Sequence, residues 1–306
     1  MDFSYLQQST FSLVSCVFIV SLMVGSFLNV VIYRLPLMLE KKWLVQSQEI
    51  LGFPIENDQE FNLCLPRSHC PNCQAVITWF QNIPVISYLL LRGRCGGCQI
   101  KIAWRYPMVE LLTAVSSTFV AWRVGYAEQL PFMLILTWVL ITLSFIDFDH
   151  LLLPDVIVIP TMWLGLAISI DKVIVDSENS ITGAIAGYLS LWLIYYFYKI
   201  VTNKQGMGYG DFKLLALFGA WFGWQVLPII VFISAFLTLF FSICLVVFKK
   251  QEWSKPVPFG PYLAIAGWSV MLYGDDFIKW YSEMFFRFLG LQPILPPTLF
   301  LIFNSN

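Results

Sequence analysis

The chain has 306 residues, 58% of them hydrophobic and only 12% charged, with a formal net charge of −1. A soluble domain carries about 25% charged residues, so this composition excludes an ordinary water-soluble fold and points to an all-α polytopic membrane protein. The near-neutral balance includes no long basic tract, so no nucleic-acid partner is expected; the partner that composition implies is the lipid bilayer.

Met1 to Thr10 carries Asp2 as its only charge, with no cationic stretch and no small-residue cleavage site. The apolar run from Phe11 is therefore expected to be a retained span and not a signal peptide. About eight spans are predicted: Phe11–Tyr33, Tyr106–Arg123, Leu130–Ile146, Leu151–Ile170, Ile181–Val201, Phe212–Trp224, Val226–Phe248 and Phe259–Tyr273. A membrane helix needs roughly 20 apolar residues. The sixth run is short, which predicts a helix that is tilted or pressed into the bundle. From Phe277 the tail is aromatic and broken by Pro293, Pro296 and Pro297, compatible with an interfacial helix and a last short apolar stretch.

With eight spans, all but four of the 18 Lys and Arg residues fall on one side of the membrane, the four being Arg123, Lys172, Lys279 and Arg287. The basic side is expected to be cytoplasmic and the N-terminus periplasmic. Losing or adding a middle span would scatter the charges to both faces.

The loop from Arg34 to Arg105 is the one candidate for a domain outside the bilayer. Its Glu40–Glu60 stretch is polar and weakly patterned, which predicts a surface excursion. Cys70-Pro71-Asn72-Cys73 and Cys95-Gly96-Gly97-Cys98 come after it. Two such turns, each presenting two thiolates, complete a closed tetrahedral Zn²⁺ site of the structural kind, which would replace the core that so short a loop cannot build. His69 is expected to be a bystander, and Cys16, Cys64 and Cys244 to be filler. The predicted organisation is a first span (1–33), a cytoplasmic zinc-binding domain (34–105), a membrane-embedded catalytic domain (106–276) and the C-terminal tail (277–306).

Two acidic clusters fall at span boundaries. The first is Asp147-Phe148-Asp149-His150, followed by Leu153-Pro154-Asp155; the second is Asp211, delivered by Gly206-Met207-Gly208-Tyr209-Gly210. By the span count, Asp147 and Asp211 share one depth on the cytoplasmic side. Carboxylates at such a depth are costly to keep and mark functional sites. Spacing alone leaves Asp149 and Asp155 as alternatives to Asp147, and adds Glu110 as a further buried acid. Gly206, Gly208 and Gly210 allow close approach of a second backbone; the plainer reading is a flexible turn with Asp211 as a helix cap. Lys213 would bias the ionisation of the acids, meet a substrate carboxylate, or simply snorkel. Two Asp carboxyls held together share a proton, so one activates water while the other polarises a carbonyl. That is peptide hydrolysis without a covalent intermediate. Paired intramembrane acids also serve proton-coupled transporters, but these gather at one face and no internal repeat is evident. A membrane scaffold with a zinc domain leaves the acids and glycines unexplained.

Taken together and in order, several motifs resemble the type IV prepilin leader peptidases, bacterial aspartic proteases of the G-x-G-D class. They are Gly25-Ser26-Phe27-Leu28-Asn29 through Arg34-Leu35-Pro36, both C-x-x-C pairs, Arg105-Tyr106-Pro107 with Glu110, Asp147 through Asp155, Gly208-Tyr209-Gly210-Asp211-Phe212-Lys213, and Pro258-Phe259-Gly260-Pro261-Tyr262-Leu263. The resemblance implies an inner-membrane endopeptidase that removes the short cationic leader of type IV prepilins and pseudopilins at the cytoplasmic face. Asp147 and Asp211 are then the catalytic pair, supported by Asp149, Gly208, Gly210 and Lys213, and Cys70, Cys73, Cys95 and Cys98 hold zinc. Because the cysteine-bearing loop is long, the resemblance further implies N-methylation of the new terminus with S-adenosylmethionine, Gly93 and Arg94 lying in the segment associated with it. A dinucleotide-type G-x-G-x-x-G is not present. Asn29 and Arg34 are expected to shape a polar cavity or to cap the first span.

Overall fold

The computed structural model describes residues 9–53, 61–70, 72–204, 207–248 and 257–288, with backbone only at position 79 and from 280 onward. Among the described residues all regular structure is helical, apart from two isolated β-bridges, His69 with Val76 and Arg94 with Lys101. The chain divides into two compact units, Met1–Tyr126 and Ala127–Asn306.

The first unit contains α1 (Thr10–Leu51), a 3₁₀ turn (Trp79–Asn82), α2 (Ile86–Leu90) and α3 (Arg105–Val124). α1 runs for 42 residues and so passes well beyond Tyr33, where the apolar run ends. It carries Pro36 inside it at the loss of one backbone hydrogen bond, because the Leu, Met, Glu and Lys residues after it favour helix. It stops at Gly52, whose left-handed φ of 72° lets its N–H cap the last turn at Gln48 and Glu49. The stretch from Glu40 to Leu51 is therefore helix rather than irregular excursion, and residues 54–60 lie outside the described residues. α1 buries Val17, Ser21, Gly25, Leu28 and Ile32, an i, i+4 seam, against Val109, Glu110, Thr113 and Ser117 of α3. At the closest point a Cβ on Gly25 would stand 2.8 Å from the Glu110 Cα. Small residues at the crossing are how helices pack tightly in lipid.

The second unit comprises α4 (Leu130–His150), α5 (Asp155–Ile168), α6 (Ser177–Thr202), α7 (Tyr209–Phe222), α8 (Leu227–Val247) and α9 (Gly260–Phe288), the last kinked at Tyr273. α7 is its axis. Every residue from Asp211 to Phe222 except Lys213 is buried, by α6, α5 and α9. That burial accounts for the shortness of the sixth apolar run: fourteen residues suffice for a helix enclosed by protein. Gly183 of α6 and Gly219 of α7 meet backbone to backbone. The Ser180 hydroxyl donates to the Ala220 carbonyl at 2.6 Å, and the Trp221 indole N–H donates to the Thr161 carbonyl at 2.8 Å. These bonds fix α7 between α6 and α5.

Among the described residues four helices are long and apolar enough to cross a membrane, spanning Thr10–Leu51, Leu130–His150, Ser177–Thr202 and Trp224–Val247; α5 is a shorter apolar helix. The fourth predicted span begins later than its apolar run. Leu151 caps α4 with a φ of 51°, and α5 starts only at Asp155, after Pro154. At the C-terminal end helix continues through the predicted boundary to Phe288, while Pro293, Pro296 and Pro297 lie outside the described residues.

Candidate functional site

In the second unit the two acids converge. Asp147 sits in the last turn of α4, 6% exposed, and Asp211 in the first turn of α7, 8% exposed. Their carboxyl groups are close enough to interact electrostatically. The N-cap of α7 is Gly208, not Asp211. Asp211 is instead the third residue of the helix, and its N–H donates to the Gly208 carbonyl at 3.3 Å. Asp147 is held by a residue that spacing did not single out as a partner. The buried N–H of Gly260, the first residue of α9, donates to Asp147 Oδ2 at 3.0 Å. A helix N-terminus is a natural seat for a carboxylate, and the Gly-Pro pair opening α9 is its signature in the sequence.

Leu153 lies against both Gly210 and Gly260. A Cβ on Gly210 would come within 2.8 Å of the Leu153 Cβ, and one on Gly260 within 2.6 Å of Asp147 Oδ2 and 3.2 Å of Leu153 Cδ2. The glycines at 210 and 260 are thus required by close approach. Gly208 is different: the nearest side-chain atom to a Cβ there is Asp211 Oδ2, at 3.6 Å. Gly206 lies outside the described residues. The Lys213 Nζ bonds both oxygens of Asp155 at 2.7 Å, tying the start of α7 to the start of α5. Asp149 is exposed at the end of α4, while Asp155 is taken by Lys213. Beside Asp211, Tyr209 packs on Tyr195 and Phe212 with ring centroids 5.6 and 5.5 Å apart.

In the first unit the four cysteines form one cluster. All four sulfurs lie within 4.8 Å of one another, with Cys70–Cys98 at 3.7 Å and Cys73–Cys95 at 3.9 Å. Four sulfurs at about 2.3 Å from a central Zn²⁺ define a tetrahedron with edges of about 3.8 Å, so the set fits that ion. The two turns have the same construction. Cys70 N–H bonds the Ala75 carbonyl and Cys95 N–H the Ile100 carbonyl, each at 2.9 Å, while Gln74 and Gln99 take φ of 57° and 60°. A side-chain hydrogen bond from Asn72 pulls the Cys98 thiol down to about 6, and backbone N–H groups around Cys98 and Gly97 lower Cys95. Against a backbone bond from Ala75, burial and the neighbouring thiols push Cys73 up to about 11. A bound cation would hold all four sulfurs as thiolates. His69 points away, Nδ1 contacting the Arg67 carbonyl. Gly93, at φ 66°, lies against the Tyr88 ring, where a Cβ would stand 2.9 Å from Tyr88 Cζ, and Arg94 is exposed.

Two further polar side chains hold this unit. Arg34 is 7% exposed and donates to the carbonyls of Asn62 (2.9 Å) and Pro66 (2.6 Å), just ahead of the first cysteine turn. Asn29 donates to the Tyr106 carbonyl at 3.0 Å. Neither caps the first span, since α1 runs past both.

Residues 19–124 match the profile of the bacterial peptidase A24 N-terminal domain, and residues 134–243 match that of the type IV leader peptidase family. Proteins to which the chain is similar include three named prepilin leader peptidase/N-methyltransferase. It is 47% identical to that of Stutzerimonas stutzeri over 280 residues, 91% of this chain and 97% of the relative. It is 50% identical to that of Pseudomonas putida over 258 residues (84% and 90%) and 46% identical to that of Pseudomonas aeruginosa over 280 (91% and 97%). No solved structure matches the chain.

Proposed function

This chain belongs to the type IV leader peptidase family, and from that premise we propose that Asp147 and Asp211 are the pair with which it cuts. It is an inner-membrane peptidase and N-methyltransferase: it removes the leader from prepilins and methylates the terminus that the cut exposes. The observation that carries the residue assignment is the convergence of the two buried acids, Asp147 held by the Gly260 N–H at the start of α9 and Asp211 set in the first turn of α7. One shared proton lets one carboxyl take a proton from water while the other hydrogen-bonds the scissile carbonyl. Water then adds to that carbonyl, the C–N bond breaks, and the proton taken from water passes to the leaving amine. An extended substrate backbone lies along the turn that leads into Asp211. Asp149 stands at the rim, and Lys213 supports the site through Asp155 rather than by touching the acids. Family membership does not favour transport.

Pseudopilins are substrates on the same chemistry. Zn²⁺ is the ion in the cysteine cluster, where Cys70, Cys73, Cys95 and Cys98 fill all four positions and give it a structural role. S-adenosylmethionine supplies an electrophilic methyl group when bound; the Arg94 guanidinium would pair with its carboxylate, on a turn that Gly93 shapes with its φ of 66°. Eight spans, with the N-terminus periplasmic and the acids and zinc facing the cytoplasm, remain the arrangement that best segregates Lys and Arg. The bilayer then holds residues 1–33 and a catalytic domain of 106–276, with 34–105 in the cytoplasm and 277–306 as a tail.

The test is mass spectrometry of a purified prepilin's N-terminus after incubation with the enzyme, with and without S-adenosylmethionine. Leader loss alone is expected without the donor, and leader loss plus one methyl group with it. Asp147→Ala and Asp211→Ala should each cut at least about a thousandfold more slowly. Persistent cleavage in either variant removes that residue from the pair.

A further inference from the structure

Glu110 is buried in α3, 8% exposed, and is not part of the acid pair. Its Oε2 accepts the Val85 backbone N–H at 2.7 Å. Gly25 seats this carboxyl-bearing turn against α1, because any Cβ there would strike the Glu110 backbone.

The residue that Glu110 holds has an unusual backbone. Val85 has φ 59° and ψ −47°, and the Ile86 N–H bonds the Pro84 carbonyl across it, closing a γ-turn. A γ-turn with positive φ at its centre is rare and strained, and for a β-branched residue that φ is a genuine outlier. Such a conformation persists only where the surroundings impose it. The turn sets the course of the chain up to the second cysteine pair. It opens α2 (Ile86–Leu90), α2 presents Tyr88, and the Gly93 N–H bonds the Tyr88 carbonyl at 2.8 Å, while a Cβ at 93 would strike the Tyr88 ring. Two residues later comes Cys95.

We propose that Glu110 is a positioning residue for methyl transfer: its carboxylate, fixed in the helix α3, imposes the Val85 turn and so sets α2, Tyr88 and the Gly93–Arg94 segment. The inference rests on the reading of that segment as the methyl-donor side of the enzyme. It assigns Glu110 no contact with donor or substrate and no part in leader cleavage.

The experiment uses the full-length enzyme in detergent, one prepilin and S-adenosylmethionine, and reads leader loss, methyl incorporation and zinc content together. Glu110→Ala should keep leader cleavage and zinc while methylating at least about tenfold more slowly, as loss of a hydrogen bond to a charged group implies. Glu110→Gln, which retains an acceptor for the Val85 N–H, should stay near the wild-type rate. Val85→Gly in the Glu110→Ala background should restore methylation, because glycine takes this φ without strain. A wild-type ratio of methylation to cleavage in Glu110→Ala overturns the proposal. So does failure of Val85→Gly to rescue, which would remove the turn as the route. A joint fall in zinc, cleavage and methylation would make Glu110 a general structural anchor and also overturns it. A wild-type enzyme that cleaves and never methylates defeats the underlying reading instead, and is told apart by the unsubstituted control.

Discussion

Glycine 210 and glycine 208 stand two residues apart in one motif and do different work. A methyl group at 210 meets the Leu153 Cβ at 2.8 Å, whereas at 208 the nearest side-chain atom is 3.6 Å away. The backbone at 208 is extended, with φ −81° and ψ 149°, which any residue adopts. Gly210→Ala must push Leu153 or the first turn of α7, and a shift of about 1 Å at a reacting group costs on the order of 100-fold in rate. Gly208→Ala should keep most of the cleavage rate. Steady-state cleavage of one prepilin by the two variants checks this, and equal losses would contradict it. The motif was legible in the sequence as glycines beside an acid; which glycine is sterically required was not, because Leu153 reaches Gly210 only through tertiary packing. The same holds for Gly260, whose bond to Asp147 joins residues 113 positions apart.

Helix α7 shows what apolar patterning does and does not reveal. Its composition marked it as embedded, and its length marked it as unlike a simple span; both follow from burial on all sides. The sequence did not disclose that Gly183 and Gly219 meet, or that the Trp221 indole and Ser180 hydroxyl lock the helix to its neighbours. A Gly219→Val substitution forces two backbones apart and should lower stability by about 3 kcal/mol, read as a reduced melting temperature in detergent. The ion pair between Lys213 and Asp155 is of another kind. Its side chains are 32% and 54% exposed, so its worth in stability is no more than about 1 kcal/mol, and its part is to set where two helices begin. In α1 the apolar run ended at Tyr33, but helix propensity carried the element through Pro36 to Leu51, a case where local preference extends a helix beyond its lipid-facing part.

For the protein as a whole, charge and sulfur spacing were the informative features. The C-x-x-C pairs announced a four-sulfur cluster that the fold assembles with tetrahedral edges. The distribution of Lys and Arg supports the proposed orientation, which places Lys172 outside and Lys204 inside. Single cysteines at these positions, probed in intact cells with a membrane-impermeant thiol reagent and compared with the unsubstituted enzyme, should react at 172 and stay protected at 204; the reverse pattern would invert the arrangement. Arg34 and Glu110 could be seen as charges near span ends, but not that each grips backbone of the cysteine-bearing lobe.

Whether Asp147 and Asp211 act as one catalytic unit is open to direct measurement. The assay is single-turnover cleavage of a prepilin by the enzyme, by Asp147→Asn, by Asp211→Asn and by the double variant. Residues that share one proton and one water lose their function together, so each single variant should fall to the same residual rate as the double. A double variant slower than either single by the product of their separate losses, or a single variant that cuts at the wild-type rate, would contradict it.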